Sequence, residues 1–207
     1  LAGLECKGGH AWSDPPSPDD VGVDAVASIP EMTSVGGTRM STDAEGNWLS
    51  EQSWYDVALT QGTAGGASSL YSRPEWQTVD SGAGPPDRRL VPDVSAVGDP
   101  FTGVKFVFRS QVLTGGGTSQ SAPIWAGFAA LINDMFAATG ADPLGDLNPV
   151  LYEVAKGSTA APGFRDVRLG GNAITAGGRP GYDMVTGLGS PNIENLAKNI
   201  LLARARR

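Results

Sequence analysis

Three glycines in a row, Gly115-Gly116-Gly117, run into Thr118-Ser119-Gln120-Ser121 and then into a stretch that is apolar at almost every position. Consecutive glycines let a backbone take positive φ and lie against a second backbone, and the periodic apolar residues behind them need a helix start. Ser119 therefore falls at or just before a helix N-terminus. Unpaired N–H groups and the positive end of the helix dipole favour a developing oxyanion there. A serine in that place can equally be a cap, and so can Ser121. From about Ser121 to Ala138 the helix carries Trp125, Phe128, Leu131, Ile132, Met135 and Phe136, so it is predicted to be the buried central helix. Pro123 is tolerated in its first turn and Gly140 supplies the stop.

Gly117-Thr118-Ser119, with Pro123 and Trp125-Ala126-Gly127 behind it, resembles the nucleophile motif shared by subtilisins and by sedolisins, the acid-acting serine-carboxyl peptidases. A subtilisin-like site needs a histidine to take the serine proton. The sole histidine, His10, sits in Gly8-Gly9-His10-Ala11-Trp12, which does not resemble the subtilisin histidine motif and reads as a surface loop. A carboxylate can do the same work in an acidic medium, because glutamate has a reference pKa of about 4.3 against about 6.5 for histidine.

The resemblance to sedolisins implies a glutamate base oriented by an aspartate one helical turn further on. It also implies a protonated aspartate donating into the oxyanion hole, a role that a neutral carboxylic acid can fill. Neither motif occurs in residues 1 to 207, and by resemblance both precede the region of Leu4-Glu5-Cys6. The chain thus reads as the C-terminal half of a sedolisin catalytic domain, with its activating acids on an upstream segment or chain of the same peptidase. The implied fold is α/β, a subtilisin-like, mainly parallel sheet flanked by helices, with only the C-terminal part present in this chain. The expected layout is one unit over 1–207, with the nucleophile loop and central helix at 114–139, a calcium-binding loop region at 164–189 and a terminal helix at 190–203.

Other segments carry the same resemblance. Val35-Gly36-Gly37-Thr38 looks like the family strand that leaves the substrate cleft, and Met32 to Val35 is predicted as a short strand stopped by Gly36-Gly37. Tyr71-Ser72-Arg73-Pro74-Glu75-Trp76-Gln77 resembles the family's Phe/Tyr-x-x-Pro-x-Trp-Gln segment. Tyr71 and Trp76 are candidates for substrate contact, with ordinary aromatic packing as the other reading. Val91-Pro92-Asp93-Val94-Ser95-Ala96 is similar again, and Asp93 reads as a buried acid that accepts backbone N–H groups beside the nucleophile loop, with a catalytic carboxylate as the other reading. After a turn at Asp99 to Gly103, Val104, Phe106 and Phe108 alternate with Lys105, Val107 and Arg109 as a strand, and Gln111-Val112-Leu113 returns to the glycine run. Residues 1 to 28 read as an irregular surface loop, and Asn148 to Ala155 as a short helix.

Phe164-Arg165-Asp166-Val167, then Gly177-Gly178-Arg179-Pro180-Gly181-Tyr182-Asp183 and Thr186-Gly187-Leu188-Gly189, resemble the sedolisin calcium loop in order and spacing. Calcium takes six or more oxygens, and a glycine-rich loop can turn several carbonyls inward while carboxylates supply charge. The resemblance implies side-chain ligation of Ca2+ by Asp166 and Asp183, and carbonyl ligation by Val167, Arg179 and Gly181. Arg179 stands where glycine is frequent in the family.

A net charge of -7 argues against a nucleic-acid partner, whose phosphates would be repelled. The longest apolar run, Ala122 to Ile132, is too short to cross a bilayer, and the first residues hold no signal peptide. Cys6 is the single cysteine, so no disulfide forms within the chain. A start at Leu1 reads as a processed chain or part of a longer one. The reading is the nucleophile-bearing chain of an acid-acting serine-carboxyl endopeptidase, acting on protein or peptide through an acyl-enzyme on Ser119 and inactive without its upstream acids. By resemblance it works in a secreted or lysosome-like compartment. The other reading is an inactive calcium-binding pseudopeptidase fragment with a structural or interaction role.

Overall fold

The computed structural model describes residues 5–6, 21–56, 61–80, 82–157, 160–172 and 177–205. In chain order these form strands β1 (Glu5–Cys6), β2 (Val21–Gly22), β3 (Val35–Thr42), β4 (Trp48–Ser53), β5 (Tyr55–Asp56), β6 (Gln61–Gly62), β7 (Gly66–Ser72), β8 (Arg88–Val91), β9 (Val94–Val97), β10 (Lys105–Phe108) and β11 (Gln111–Thr114). Helices α1 (Thr118–Thr139) and α2 (Leu147–Lys156), strands β12 (Phe164–Arg165) and β13 (Ser190–Pro191), and helix α3 (Ile193–Arg204) complete the order. His10, the Cys6 side chain, the Pro15 to Pro18 cluster, and Arg206 and Arg207 lie outside the described residues.

The α/β class holds, and the parallel pairing resides in one place. β3 pairs with β9 in parallel from Val35 opposite Val94 to Thr38 opposite Val97, and with β4 antiparallel on its other side. The remaining strand pairings among the described residues are antiparallel, several of them local hairpins. β3 begins at the last residue of the predicted strand and runs straight through Gly36-Gly37. A Cβ on Gly36 would lie 2.9 Å from Pro92 Cγ and 3.0 Å from the Val185 carbonyl oxygen, so this glycine answers a close approach, not a turn. Residues 48–56 hold β4 and β5, and the expected irregular 1–28 segment holds the β1–β2 pair.

α1 lies against β3 and β9 and buries Ser121, Trp125, Ile132 and Phe136. These meet Val94 and Ala96 of β9, Leu151 and Val154 of α2, and Leu196 and Ile200 of α3 in one core. Each large apolar side chain buried there is worth about 1.5–3 kcal/mol. The Trp125 indole Nε1 donates to the Ser95 carbonyl at 2.9 Å, so its polar edge is satisfied inside the core. The opposite face of α1 corrects the expectation of a buried helix. Ala122, Ala126, Ala130 and Leu131 are exposed, Leu131 at 64%.

α1 also starts earlier than predicted, at Thr118, which moves Pro123 into the second turn. Pro123 has no N–H, so the Ser119 carbonyl receives no helical hydrogen bond from it. Gly140 closes the helix in the left-handed region, as predicted. At the terminal helix the boundary shifts: Ser190 and Pro191 belong to β13, and Asn192 caps α3 by accepting from the Asn195 N–H. The Ser190 hydroxyl instead donates to Glu51, at 2.5 Å. Glu51 is buried on β4 and also accepts from the Thr38 hydroxyl and the Trp48 indole.

Candidate active site and cation loop

The nucleophile turn is held by backbone before any side chain takes part. The Gly117 N–H donates to the Gly98 carbonyl at 2.5 Å, which pins the glycine run to the end of β9. A Cβ on Gly116 would fall 2.5 Å from the backbone of Pro100, and Gly117 has φ of 87°, so neither position accepts a larger residue without strain. Gly117 is the N-cap of α1, and no side chain caps the first turn. The Gln120 and Ser121 N–H groups donate to the Gly117 carbonyl, so the anion-favouring end beside Ser119 is the helix dipole with the N–H groups that precede them.

The two serines of the turn have opposite environments. The Ser121 hydroxyl is buried and sits 3.1 Å from the carbonyls of both Ala96 and Val97, so Ser121 fastens the helix to β9. Ser119 is exposed and lies on the rim of a groove of about 350 Å³ shared with Val23, Met32, Val35, Gly65 and Ala122. Asp24 lines the same groove, and its Oδ1 accepts the Ala27 N–H at 2.5 Å. Sequence reasoning passed over Asp24, and nothing in its local pattern sets it apart. Tyr71 and Trp76 do not line this groove. Tyr71 is half-buried on β7, and the Trp76 ring packs 5.1 Å from Tyr152 and 5.1 Å from the Arg89 guanidinium carbon.

At the junction of β8 and β9 lies a second polar centre. Asp93 is fully buried and accepts from the Ser34 N–H at 2.8 Å, from the Tyr152 hydroxyl at 2.9 Å and from both terminal nitrogens of Arg89 at 2.7 and 2.5 Å. The expected backbone donor is therefore present. The fully buried arginine is an addition that the sequence did not single out. Burial pushes the Tyr152 phenol well above its ordinary value of 10, so it keeps its proton and donates at every working pH. Gln77 completes the centre by donating to Tyr152 and to the Leu90 carbonyl.

The five residues assigned to a cation come together in one loop cluster. The Gly181 N–H donates to Asp166 Oδ2 at 3.1 Å, and the Arg179 N–H to Asp183 Oδ2 at 3.1 Å. Asp183 Oδ1 accepts from the N–H groups of Val185 and Thr186, while the Thr186 hydroxyl lies 3.2 Å from Asp183 Oδ1 and 3.4 Å from the Val167 carbonyl. Asp183 is 1% exposed, and burial holds its carboxyl above the ordinary value against the pull of these donors.

Among the described residues no three His, Cys, Asp or Glu side chains stand together as a metal site, so a cation here depends on carbonyl oxygens. The oxygen-only donor set suits a hard ion such as calcium. Arg168, whose Nε lies 2.7 Å from Asp166 Oδ2, has a side chain exposed enough to swing away. The loop also braces the nucleophile strand, since Ser95 N–H donates to the Gly189 carbonyl and Leu188 N–H to the Asp93 carbonyl.

No protein-family model matches the chain. It is 36% identical over 181 residues to kumamolisin of Bacillus sp. (strain MN-32), a match covering 82% of this chain and 31% of that protein. Sedolisin of Pseudomonas sp. (strain 101) is 32% identical, with 84% and 30% covered, and tripeptidyl-peptidase 1 of Dictyostelium discoideum 33% identical, with 81% and 26% covered. Among solved structures, Pseudomonas sedolisin, a serine-carboxyl proteinase complexed with two molecules of pseudo-iodotyrostatin, superposes with a TM-score of 0.74 at 28% identity. That match covers 98% of this chain and 55% of the sedolisin chain. The present chain spans about a third of the length of the curated relatives it matches.

Proposed function

Since the chain belongs to the sedolisin family, we propose that it is the nucleophile-bearing part of an acid-acting serine-carboxyl endopeptidase. The observation that carries this reading is the division of labour between the two serines. Ser121 is spent on fastening α1 to β9, and Ser119 is left exposed at the groove rim beside uncapped first-turn N–H groups. Ser119 Oγ attacks the scissile carbonyl, the hydroxyl proton passes to a carboxylate, and the oxyanion forms at the helix N-terminus. The tetrahedral intermediate collapses by breaking the C–N bond, the leaving amine takes the proton from the carboxyl, and water then hydrolyses the acyl-enzyme on Ser119. The glutamate–aspartate pair and the oxyanion acid come from an upstream segment, consistent with relatives about three times as long as the match.

Calcium held by Asp166 and Asp183 side chains and the carbonyls of Val167, Arg179 and Gly181 belongs to the same reading. Its role is structural: it would tie the loop that braces β9, and through β9 the turn that carries Ser119. A secreted or acidic compartment fits the proposed chemistry. Among the described residues no helix is long and apolar enough to cross a membrane.

The test is peptide hydrolysis from about pH 3 to about pH 7 by the protein purified from its native source, with N-terminal sequencing and intact mass to identify any upstream or co-purifying chain. Hydrolysis that Ser119→Ala reduces on the order of a million-fold in kcat supports the reading. Absence of hydrolysis throughout that range in a preparation holding the upstream acids replaces it with the pseudopeptidase reading.

A further inference from the structure

Two apolar surfaces flank Ser119 and remain uncovered. Along α1 the exposed positions Ala122, Ala126 and Ala130, joined by Leu131, follow one another at helical spacing away from the nucleophile. Asp134 is the one charged residue of α1, where a solvated helix face ordinarily carries several. The β10–β11 hairpin is exposed at all eight strand residues. The cross-strand pair Phe106 and Leu113 lies on one face at 45% and 38% exposure, and Val107 and Val112 on the other at 73% and 69%. A two-stranded ribbon is marginal in water by itself, and one apolar on both faces calls for cover on both. The surfaces meet at the nucleophile turn, where the Phe106 ring and the Gln120 side chain both crowd Gly115.

We propose that the outer face of α1 and the two faces of the β10–β11 hairpin form one protein-binding surface whose occupant is the part of a sedolisin-type fold lying outside the matched 55%. The inference rests on the family reading above and adds where the acid-bearing segment docks. The length of the relatives supplies the occupant, since a chain of that fold continues well beyond the region matched here. Charge supports the choice. The hairpin strands and their turn carry Lys105 and Arg109 and no acid, so the hairpin end of the surface is complementary to an apolar segment with an acidic margin.

The experiment compares the chain alone with the chain joined at its N-terminus to the Pseudomonas sedolisin sequence outside the match. Hydroxyl-radical footprinting reads Phe106, Phe108 and Leu131, with exposed Leu70 and Leu202 as controls. Oxidation of the three should fall to the level of buried Phe136 in the joined protein, with the controls unchanged. Unchanged oxidation of the three in a folded joined protein overturns the proposal. So does concentration-dependent protection in the chain alone, which would make a second copy the occupant.

A measurement on the chain alone guards against failure of the joined protein to fold. The double substitution Val107→Lys with Leu131→Glu should abolish binding of an apolar dye without lowering the melting temperature. No dye binding by the unsubstituted chain overturns the proposal. Protection without hydrolysis leaves the surface standing and removes the catalytic reading. Hydrolysis without protection does the reverse.

Discussion

The polar centre around Asp93 stands just before β9 and the polar edge around Ser119 is pinned just after it, and the carboxylate of the first has its partners while the hydroxyl of the second has none among the described residues. Asp93 is surrounded from within the chain: a bidentate arginine, a phenol that keeps its proton and a backbone N–H all converge on its two oxygens. Ser119 has an exposed hydroxyl, an uncapped helix end and a groove. A closed network contributes to rigidity, because each buried partner is costly to orphan. An open edge contributes chemistry only when other groups arrive. The backbone between them is common to both, so the rigidity of the first positions the second.

The contrast makes graded predictions. Asp93→Ala strands the Arg89 guanidinium in the interior and should lower unfolding stability by about 3–5 kcal/mol in urea titration. A loss no greater than that of an exposed serine would erase the distinction between the two centres. Calcium at ten times its dissociation constant should stabilise the folded chain by about 1.4 kcal/mol, and the increment should vanish in Asp183→Ala. A melting temperature indifferent to calcium removes the metal from the brace behind β9. Ser121→Ala takes away the hydroxyl that meets two strand carbonyls and should cost about 1 kcal/mol. Ser119→Ala should change stability by less than about 0.5 kcal/mol. A larger loss at Ser119 than at Ser121 would invert the assignment of the two side chains.

What was legible in the sequence was what repeats or what a single residue type dictates. The alternation from Val104 to Arg109 foretold β10, and Gly140 foretold the end of α1. The order of residues around Asp166 and Asp183 foretold that they would share a loop. Roles set by direction were not legible. Ser119 and Ser121 differ by two residues, about 200° around a helix, and only packing decides which of them faces β9. Gly36 and Gly37 looked like a stop because crowding by Pro92 and Trp54 is invisible along the chain. The terminal helix was expected from residue 190, but Glu51 claims the Ser190 hydroxyl from across the fold and the helix starts after Asn192. The outer face of α1 was apolar and therefore expected inside, yet composition states what wants cover and not what supplies it. Arg89 left no trace, since an arginine in an extended segment is ordinarily solvated.

The bond between Ser190 and Glu51 carries a consequence for biosynthesis. It joins residues 139 positions apart and meets a buried carboxylate that β4 has already placed in the sheet. While the chain is still emerging from the ribosome, Glu51 can meet the hydroxyl of Thr38 and the indole of Trp48, but its third donor arrives only once residue 190 has been made. Contacts of such separation close late. A nascent chain cut short before β13 would therefore leave the ribosome with a carboxylate buried short of a partner.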